Sequence, residues 1–140
     1  FEVLHYTYVN GLLQASGVAV RGRVAMWDGA TGKVKTSDGT AAIGIFAQNV
    51  LEVPQNGYRP PHSDDAYLDG RVGIYQDHVV FLTDEFAGAI SSYKPGDKIY
   101  VTSEGRYTNV QGAPSPTTGD VEIGEVLLVE PSALVIRAKF

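Results

Sequence analysis

The sequence contains no cysteine, which excludes disulfide bonds, cysteine–zinc sites and thiol chemistry. No apolar run approaches the roughly 20 residues that a membrane-spanning helix needs, and we expect neither a membrane span nor a signal peptide. Basic residues are few, since 11 lysines and arginines stand against 16 aspartates and glutamates, for a formal net charge of −5. Nucleic-acid-binding proteins usually carry a basic surface, so we expect no nucleic-acid partner.

Long amphipathic helical patterns are also missing, whereas residues typical of strands and turns are frequent, with 16 glycines and 8 tyrosines. The 140 residues are enough for one domain with its own hydrophobic core. We therefore predict an all-β fold, a compact β-barrel or β-sandwich. The segment "EFAGAISSYKPG" predicts at most one short helix, capped by Asp84, with Phe86 and Ile90 one turn apart.

The chain divides into a short N-terminal segment and one larger unit. Residues 1–13 alternate in polarity and predict an extended N-terminal arm or a first strand. Residues 14–140 predict a single β domain with a proline-rich surface loop at residues 52–65. Between residues 66 and 84, the sequence predicts two strands that are joined by a tight turn near Gln76 and Asp77.

One hairpin pattern occurs twice. "GRVAMWDGATGKVKTSDGTAAIGIFAQNV" is followed later by "GDKIYVTSEGRYTNV" and "EIGEVLLVE". Each copy has a glycine, an apolar strand, a turn glycine, a short polar strand and an Ile-Gly strand. The paired glycines are Gly22 with Gly96, Gly32 with Gly105, and Gly44 with Gly124. Glycine is favoured where a turn needs a positive φ or where backbones approach closely, so the repeat predicts two similar hairpin units.

The repeat also predicts core positions. Counted from the first glycine of each copy, Trp27 corresponds to Val101, and large apolar residues at equivalent positions favour inward-facing side chains. Ile43 and Ile123 are predicted to lie in the core for the same reason. The alternative is that Trp27 is exposed and forms a sugar platform.

These segments resemble the head decoration, or cement, proteins of tailed bacteriophages. The similarity lies in the strand-turn-strand and "A-x-G-hydrophobic" segment of the first copy, and in the "G-D-x-hydrophobic-Tyr" phrase of the second. It covers roughly residues 17–50 and 70–129. The resemblance implies a small β-protein that binds the major capsid protein on the capsid exterior, often as a homotrimer, and stabilises the shell.

Few residues of the sequence indicate a catalytic or metal-binding site. His62 adjoins Ser63, Asp64 and Asp65, but the members of a catalytic triad converge from separate elements of a fold rather than from one loop. A solvated loop is therefore favoured over a hydrolase that uses His62 or a divalent-cation site at the two aspartates. The remaining histidines, His5 and His78, lie in the arm and at the predicted turn. We expect no enzyme activity, no cofactor and no metal site.

Aromatic residues outside the repeat suggest partner contacts, because tyrosine is enriched at interfaces. The alternating residues 1–9 also suit strand addition to a partner's sheet. The candidate contact residues are Phe1, Val3, Tyr6, Tyr8, Tyr58, Arg59 and Tyr67. We therefore expect a structural virion protein on the capsid exterior. The alternative is a receptor- or carbohydrate-binding β-module of a virion fibre or spike, with Trp27, Tyr58 and Tyr67 as its platform.

Overall fold

A computed structural model of the chain describes residues 1–60 and 63–140. These residues form strands and one short 3₁₀ turn, Ile90–Ser92, which confirms the all-β prediction with at most one short helix. The turn begins at Ile90 and not after Asp84, because residues 85–87 are extended and pair with the backbone of Tyr107. The strands are β1 (Glu2–Leu13), β2 (Val24–Asp28), β3 (Lys33–Thr36), β4 (Gly44–Phe46), β5 (Val50–Leu51), β6 (Ala66–Tyr67), β7 (Val72–Thr83), β8 (Lys98–Thr102), β9 (Tyr107–Thr108), β10 (Gly119–Val129) and β11 (Leu134–Lys139).

Nine strands of the described residues form one antiparallel sheet in the order β3-β2-β4-β7-β11-β10-β8-β9, and β1 pairs with β7. β5 and β6 form a separate parallel pair. The sheet curls until the β8–β9 hairpin meets the start of β2, where the Val24 amide donates to the Gly105 carbonyl at 2.9 Å. The Tyr107 hydroxyl donates to the Gly22 carbonyl at 2.7 Å. The result is a curled half-barrel.

The two sequence repeats fold into two equivalent units. The Gly22 amide donates to the Phe46 carbonyl, and the Gly96 amide donates to the Val126 carbonyl, both at 2.8 Å. Gly22 and Gly96 have φ angles of 89° and 91°, a left-handed conformation that glycine adopts without steric cost. The prediction of two similar hairpin units is therefore confirmed at the level of individual hydrogen bonds.

The Ile-Gly strands also place their glycines equivalently. A side chain at Gly44 would collide with the carbonyl of Tyr75 on β7, and one at Gly124 would collide with the carbonyl of Arg137 on β11. Each glycine therefore allows a close approach of neighbouring backbones, as the sequence predicts.

β7 is one continuous strand, so the prediction of two strands joined by a turn near Gln76 and Asp77 was wrong. Asp77 has a φ of 66° and kinks the strand without reversing it. β1 runs across the kink and pairs with both halves of β7. The Thr7 hydroxyl lies within hydrogen-bonding distance of the Asp77 carboxylate (3.1 Å), and the His78 amide donates to Thr7 Oγ1 at 3.1 Å. These contacts hold the two halves against β1.

The core consists of two hydrophobic clusters. Val101 on β8 and Ile123 on β10 are buried in the first cluster. This cluster lies between these two strands and the rest of the half-barrel. Ile43 is partly buried and packs against the second cluster, which includes Val34, Phe46 and Ile74.

Trp27 is not a core residue, so its predicted burial was wrong. Its side chain is 48% exposed, whereas that of Val101 is fully buried. The reason is the length of the neighbouring strand. β4 pairs only with Val24 and Ala25, so the end of β2 is left uncovered on that side, whereas β10 accompanies β8 from Lys98 to Thr102.

Candidate interaction surface

The most distinctive surface of the molecule is the free edge of β1. β1 pairs with β7 along one edge, and in the part of the chain that the structure describes it has no other strand partner. The side chains of Leu4, Tyr6, Tyr8 and Leu12 are each at least half exposed. An exposed edge strand presents unpaired amide and carbonyl groups that can pair with another chain.

The composition of β1 does not protect this edge. Natural edge strands are often blunted by lysine, proline or inward-pointing charges. β1 has the sequence EVLHYTYVNGLL, with no lysine and no proline, and with Glu2 and His5 as its acidic and basic side chains. Three irregularities in its register with β7 twist the pair locally, but they do not interrupt the strand. The edge is therefore chemically suited to contact with a partner.

A cleft extends this surface onto the outer face of the sheet. Leu4 lines the cleft together with Leu82 of β7, Val135 of β11 and Leu128 of β10. Glu2, Leu82, Val135 and Leu128 occupy one cross-strand row. The apolar surface at β1 is thus continuous with an apolar strip across three further strands.

Phe1 and Val3, two of the predicted partner contacts, are partly buried. Both pack against the first cluster. The Phe1 ring lies 5.6 Å from the Phe81 ring, with the Arg21 guanidinium 5.3 Å above it. It occupies the space beside Gly22, where any side chain would collide with it. The antiparallel pairing of β1 with β7 turns these first residues inward.

Tyr6 and Tyr8 remain available for contact. Tyr6 is anchored on one side, because its ring lies 5.3 Å from that of Tyr75. Tyr8 is half exposed, and its backbone pairs with Gln76. A partly anchored tyrosine loses little conformational entropy on binding, which favours a role at an interface.

The remaining candidate contact residues, Tyr58, Arg59 and Tyr67, lie in or near the proline-rich loop and differ in exposure. Tyr58 is 65% exposed. Arg59 stacks over the Tyr67 ring, with its guanidinium carbon 4.7 Å from the centroid, and pairs with Asp69. Arg59 and Tyr67 therefore pack against each other within this chain, which leaves Tyr58 as the more exposed of the two tyrosines.

His62 lies outside the described residues. Its neighbours Asp64 and Asp65 are tied to the segment after β4: Gln48 Nε2 donates to the Asp64 carbonyl at 2.9 Å, and Asn49 Nδ2 donates to the Asp65 carboxylate at 3.3 Å. Among residues 1–60 and 63–140, no three histidine, cysteine, aspartate or glutamate side chains gather to hold a metal ion.

A second apolar surface, the loop patch, consists of Val18, Val20 and Leu51. The three side chains are exposed and line a shallow cleft beside Arg23. The loop patch is built by a bridge between Ala19 and Val50, which fixes the flanking residues on one surface. The patch is not evident from the sequence, because its two segments are about 30 residues apart and meet through that bridge.

The ionisable groups at the closure of the half-barrel are structural. Glu85 pairs with Arg106 at 3.1 Å and with Arg23 at 3.4 Å, and so links the end of β7 to both hairpins. Burial raises the pKa of Tyr107 well above its ordinary value of 10.0. Burial also raises the pKa of Tyr93. This cluster is not evident from the sequence, since Arg23, Glu85 and Arg106 are far apart in the chain.

No protein-family model and no curated protein matches this sequence. The described segments also contain no helix with the length and hydropathy to cross a lipid bilayer. The surface geometry and the sequence pattern are therefore the basis for a functional proposal.

Proposed function

We propose that the chain is a structural virion protein of the decoration, or cement, type, which binds the major capsid protein on the capsid exterior and stabilises the shell. It catalyses no reaction and needs no cofactor in this role. The observation that carries the proposal is the long, exposed edge of β1, which has no lysine and no proline. Natural β-proteins rarely leave such an edge open to solvent, because it promotes association.

A shell-stabilising protein has to hold more than one neighbour at once, and this chain offers more than one apolar surface. The free edge of β1 and the loop patch are formed by different segments, Glu2–Leu13 and the bridge between Ala19 and Val50. Two contacts on one body raise the effective strength of binding without any new interaction at either contact. We include a homotrimer in the proposal, because closed cyclic symmetry suits a self-limiting cap on a lattice.

The proposal is tested with empty capsid shells that lack this protein. We expect the purified chain to co-sediment with the shells at a saturable ratio and to raise the temperature at which they rupture. A variant that carries Leu4→Lys and Leu12→Lys should bind at least about tenfold more weakly, because lysine blocks an edge strand. The matched control is Val110→Lys, since Val110 is similarly exposed in a loop away from β1.

Light scattering on the purified chain, and the local symmetry of the bound density, test the homotrimer. A monomer in both settings would contradict the trimer. The absence of saturable binding to the shells would contradict the capsid role itself.

The exposure of Trp27 supports one alternative, a carbohydrate- or receptor-binding module of a fibre or spike. Exposed tryptophan rings stack well on sugars and on apolar partners. A glycan-array screen of the intact protein beside Trp27→Ala tests this alternative. A clear glycan signal that the variant loses would favour the module over the capsid protein.

A further inference from the structure

Two clefts of the molecule have mostly apolar linings and opposite charges. The loop patch lines the first cleft, and among the described residues of that lining Arg23 is the one with a charged side chain. The second cleft, on the outer face of the sheet, is lined by three leucines and Val135, and there the charged side chain is Glu130. We call the second one the outer-face cleft. The two linings are therefore similar in apolar character and complementary in charge.

Both charges are available to a partner. Glu130 is exposed and forms no ion pair with the residues that the structure describes. Arg23 shares the carboxylate of Glu85 with Arg106, so this group of three side chains has one positive charge in excess. The Arg23 side chain is partly exposed, and a carboxylate that enters the cleft beside the loop patch can approach it.

The two clefts lie at opposite ends of the sheet. β4 and β10 are the equivalent Ile-Gly strands of the repeat, and three successive antiparallel pairings connect them through β7 and β11. An odd number of antiparallel pairings reverses the strand direction, so β4 and β10 run in opposite directions. Leu51 of the loop patch follows the end of β4, whereas Leu128 and Glu130 of the outer-face cleft lie at the end of β10.

We propose that the outer-face cleft of one copy of this chain binds the loop patch of a second copy, with Glu130 facing Arg23. The apolar side chains form the centre of the contact, and the charge pair sets its orientation, as is common in protein–protein interfaces. The contact is head-to-tail, because the two surfaces differ. Each copy then uses its outer-face cleft on one neighbour and its loop patch on another.

A head-to-tail contact closes into a ring when the rotation between neighbours allows it, whereas two identical surfaces in contact give a dimer. This inference deepens the proposed function and rests on it for the size of the ring, the homotrimer. It assigns the two clefts to neighbouring copies. The unpaired backbone groups along the edge of β1 are then left for the capsid protein.

The absence of cysteine allows a crosslinking test on the purified chain, without shells. Leu51→Cys places one thiol at the loop patch, and Leu128→Cys places one in the outer-face cleft. The two variants are treated with a short bis-maleimide, each alone and as an equilibrated equal mixture. Val110→Cys, which is exposed but lines neither cleft, replaces one or the other variant in the control mixtures.

We expect the mixture to give covalent dimers with one chain of each variant, because unlike surfaces meet in a head-to-tail contact. Either variant alone, and each control mixture, should give at least about tenfold fewer dimers. Adding Glu130→Lys to Leu128→Cys should lower the yield of mixed dimers about tenfold, since the lysine would face Arg23. Asp120→Lys, an equal change of charge at the exposed start of β10, is the matched control and should leave the yield unchanged.

Equal crosslinking of Leu128→Cys alone and in the mixture would indicate contact between identical surfaces and overturn the proposal. The absence of mixed dimers from variants of normal thermal stability would overturn it as well. If either cysteine disturbs folding, Val18→Cys and Ser132→Cys are the second positions in the two clefts. Mixed dimers without shell binding would contradict the proposed function alone, and shell binding without mixed dimers would contradict this inference alone.

Discussion

At the scale of single residues, equivalent positions of the repeat can differ in burial. Trp27 and Val101 occupy equivalent positions in the repeat, yet the tryptophan is half exposed and the valine is fully buried. The larger apolar residue is outside because β4 ends before it. A half-exposed tryptophan can pack against its own hairpin with one part of the ring and contact a ligand or a partner with the other.

Truncation of Trp27 should therefore have a small effect on stability. We expect Trp27→Ala to lower the free energy of unfolding by about 1–2 kcal/mol, below the roughly 3–5 kcal/mol that is typical of a fully buried aromatic residue. Val101→Ala, at the equivalent buried position, is the matched comparison. We expect it to lower the free energy of unfolding at least as much as Trp27→Ala, although valine is the smaller side chain. Chemical denaturation of the two variants measures the difference, and a larger loss for Trp27→Ala would contradict the exposed position.

Tyr107 should make the protein sensitive to alkaline pH. Burial raises the pKa of its hydroxyl in the folded state, so the unfolded chain loses this proton first as the pH rises. The contribution to stability is complete below about pH 10 and is lost at higher pH. Tyr107→Phe should cost about 1–2 kcal/mol at neutral pH, because the Gly22 carbonyl loses its donor, but should show a smaller loss of stability above pH 10.

Thermal unfolding across alkaline pH measures this effect. Tyr58→Phe is the control, since Tyr58 is exposed and should leave the pH profile unchanged. An unchanged alkaline profile in Tyr107→Phe would show that another group causes the loss.

At the scale of elements, β1 is both an integral strand and an exposed one. Phe1, directly before β1, packs against the core, the backbone of β1 pairs with β7 over its full length, and its outer edge is free. The alternatives of an arm and a first strand are therefore not exclusive. Removal of residues 1–9 should lower the melting temperature strongly, because β7 would lose its hydrogen-bond partners along one edge.

Substitution of Phe1 and of Tyr8 should distinguish an aromatic side chain that anchors the fold from one that is free to contact a partner. We expect Phe1→Ala to lower stability by about 2–4 kcal/mol, because it opens a space between Gly22 and Phe81. Tyr8→Ala should change stability by less than about 0.5 kcal/mol, as exposed positions usually do. Calorimetry of both variants, and their binding to empty shells, provide the test. A large loss of stability in Tyr8→Ala, with little in Phe1→Ala, would reverse the assignment.

At the scale of the whole molecule, the half-barrel is closed by a small number of contacts between its two ends. Gly105 allows the closest of these approaches, since a side chain there would press against Thr36 and the backbone of Val24 and Ser37. Glu85 adds ion pairs to Arg23 and Arg106 at the same closure. The side chains of these pairs are partly exposed, so we expect the backbone contact to contribute more than the charges.

The equivalent turn glycines allow this closure to be tested. Gly105 and Gly32 have φ angles of 72° and 70°, but Gly32 has open space around it. Gly32→Ala should cost about 1–2 kcal/mol, the ordinary penalty for a left-handed residue. Gly105→Ala should cost clearly more, because the same penalty is joined by a steric clash. Equal losses of stability in denaturant titrations would show that the two ends of the sheet are not in contact.

The fold class and the repeat could be predicted from the sequence because both depend on local patterns. Alternating strands and glycines at turns act within a few residues, so Gly22 and Gly96 have the same conformation and the same hydrogen bond. Val101 and Ile123 are buried, as the repeat predicted. Of the residues predicted as partner contacts in this segment, Tyr6 and Tyr8 are exposed, whereas Phe1 and Val3 are partly buried.

The sequence by itself determined that this chain is an all-β protein with two equivalent hairpin units, because strand periodicity and turn glycines are encoded locally. Only the tertiary structure decided that Trp27 is exposed, that β7 passes through Asp77 without turning, and that β1 keeps a free edge. These features depend on which strand pairs with which, and on how far each pair extends. Such pairings join residues about 70 positions apart in the sequence, as β1 and β7 do, and no local pattern specifies their limits.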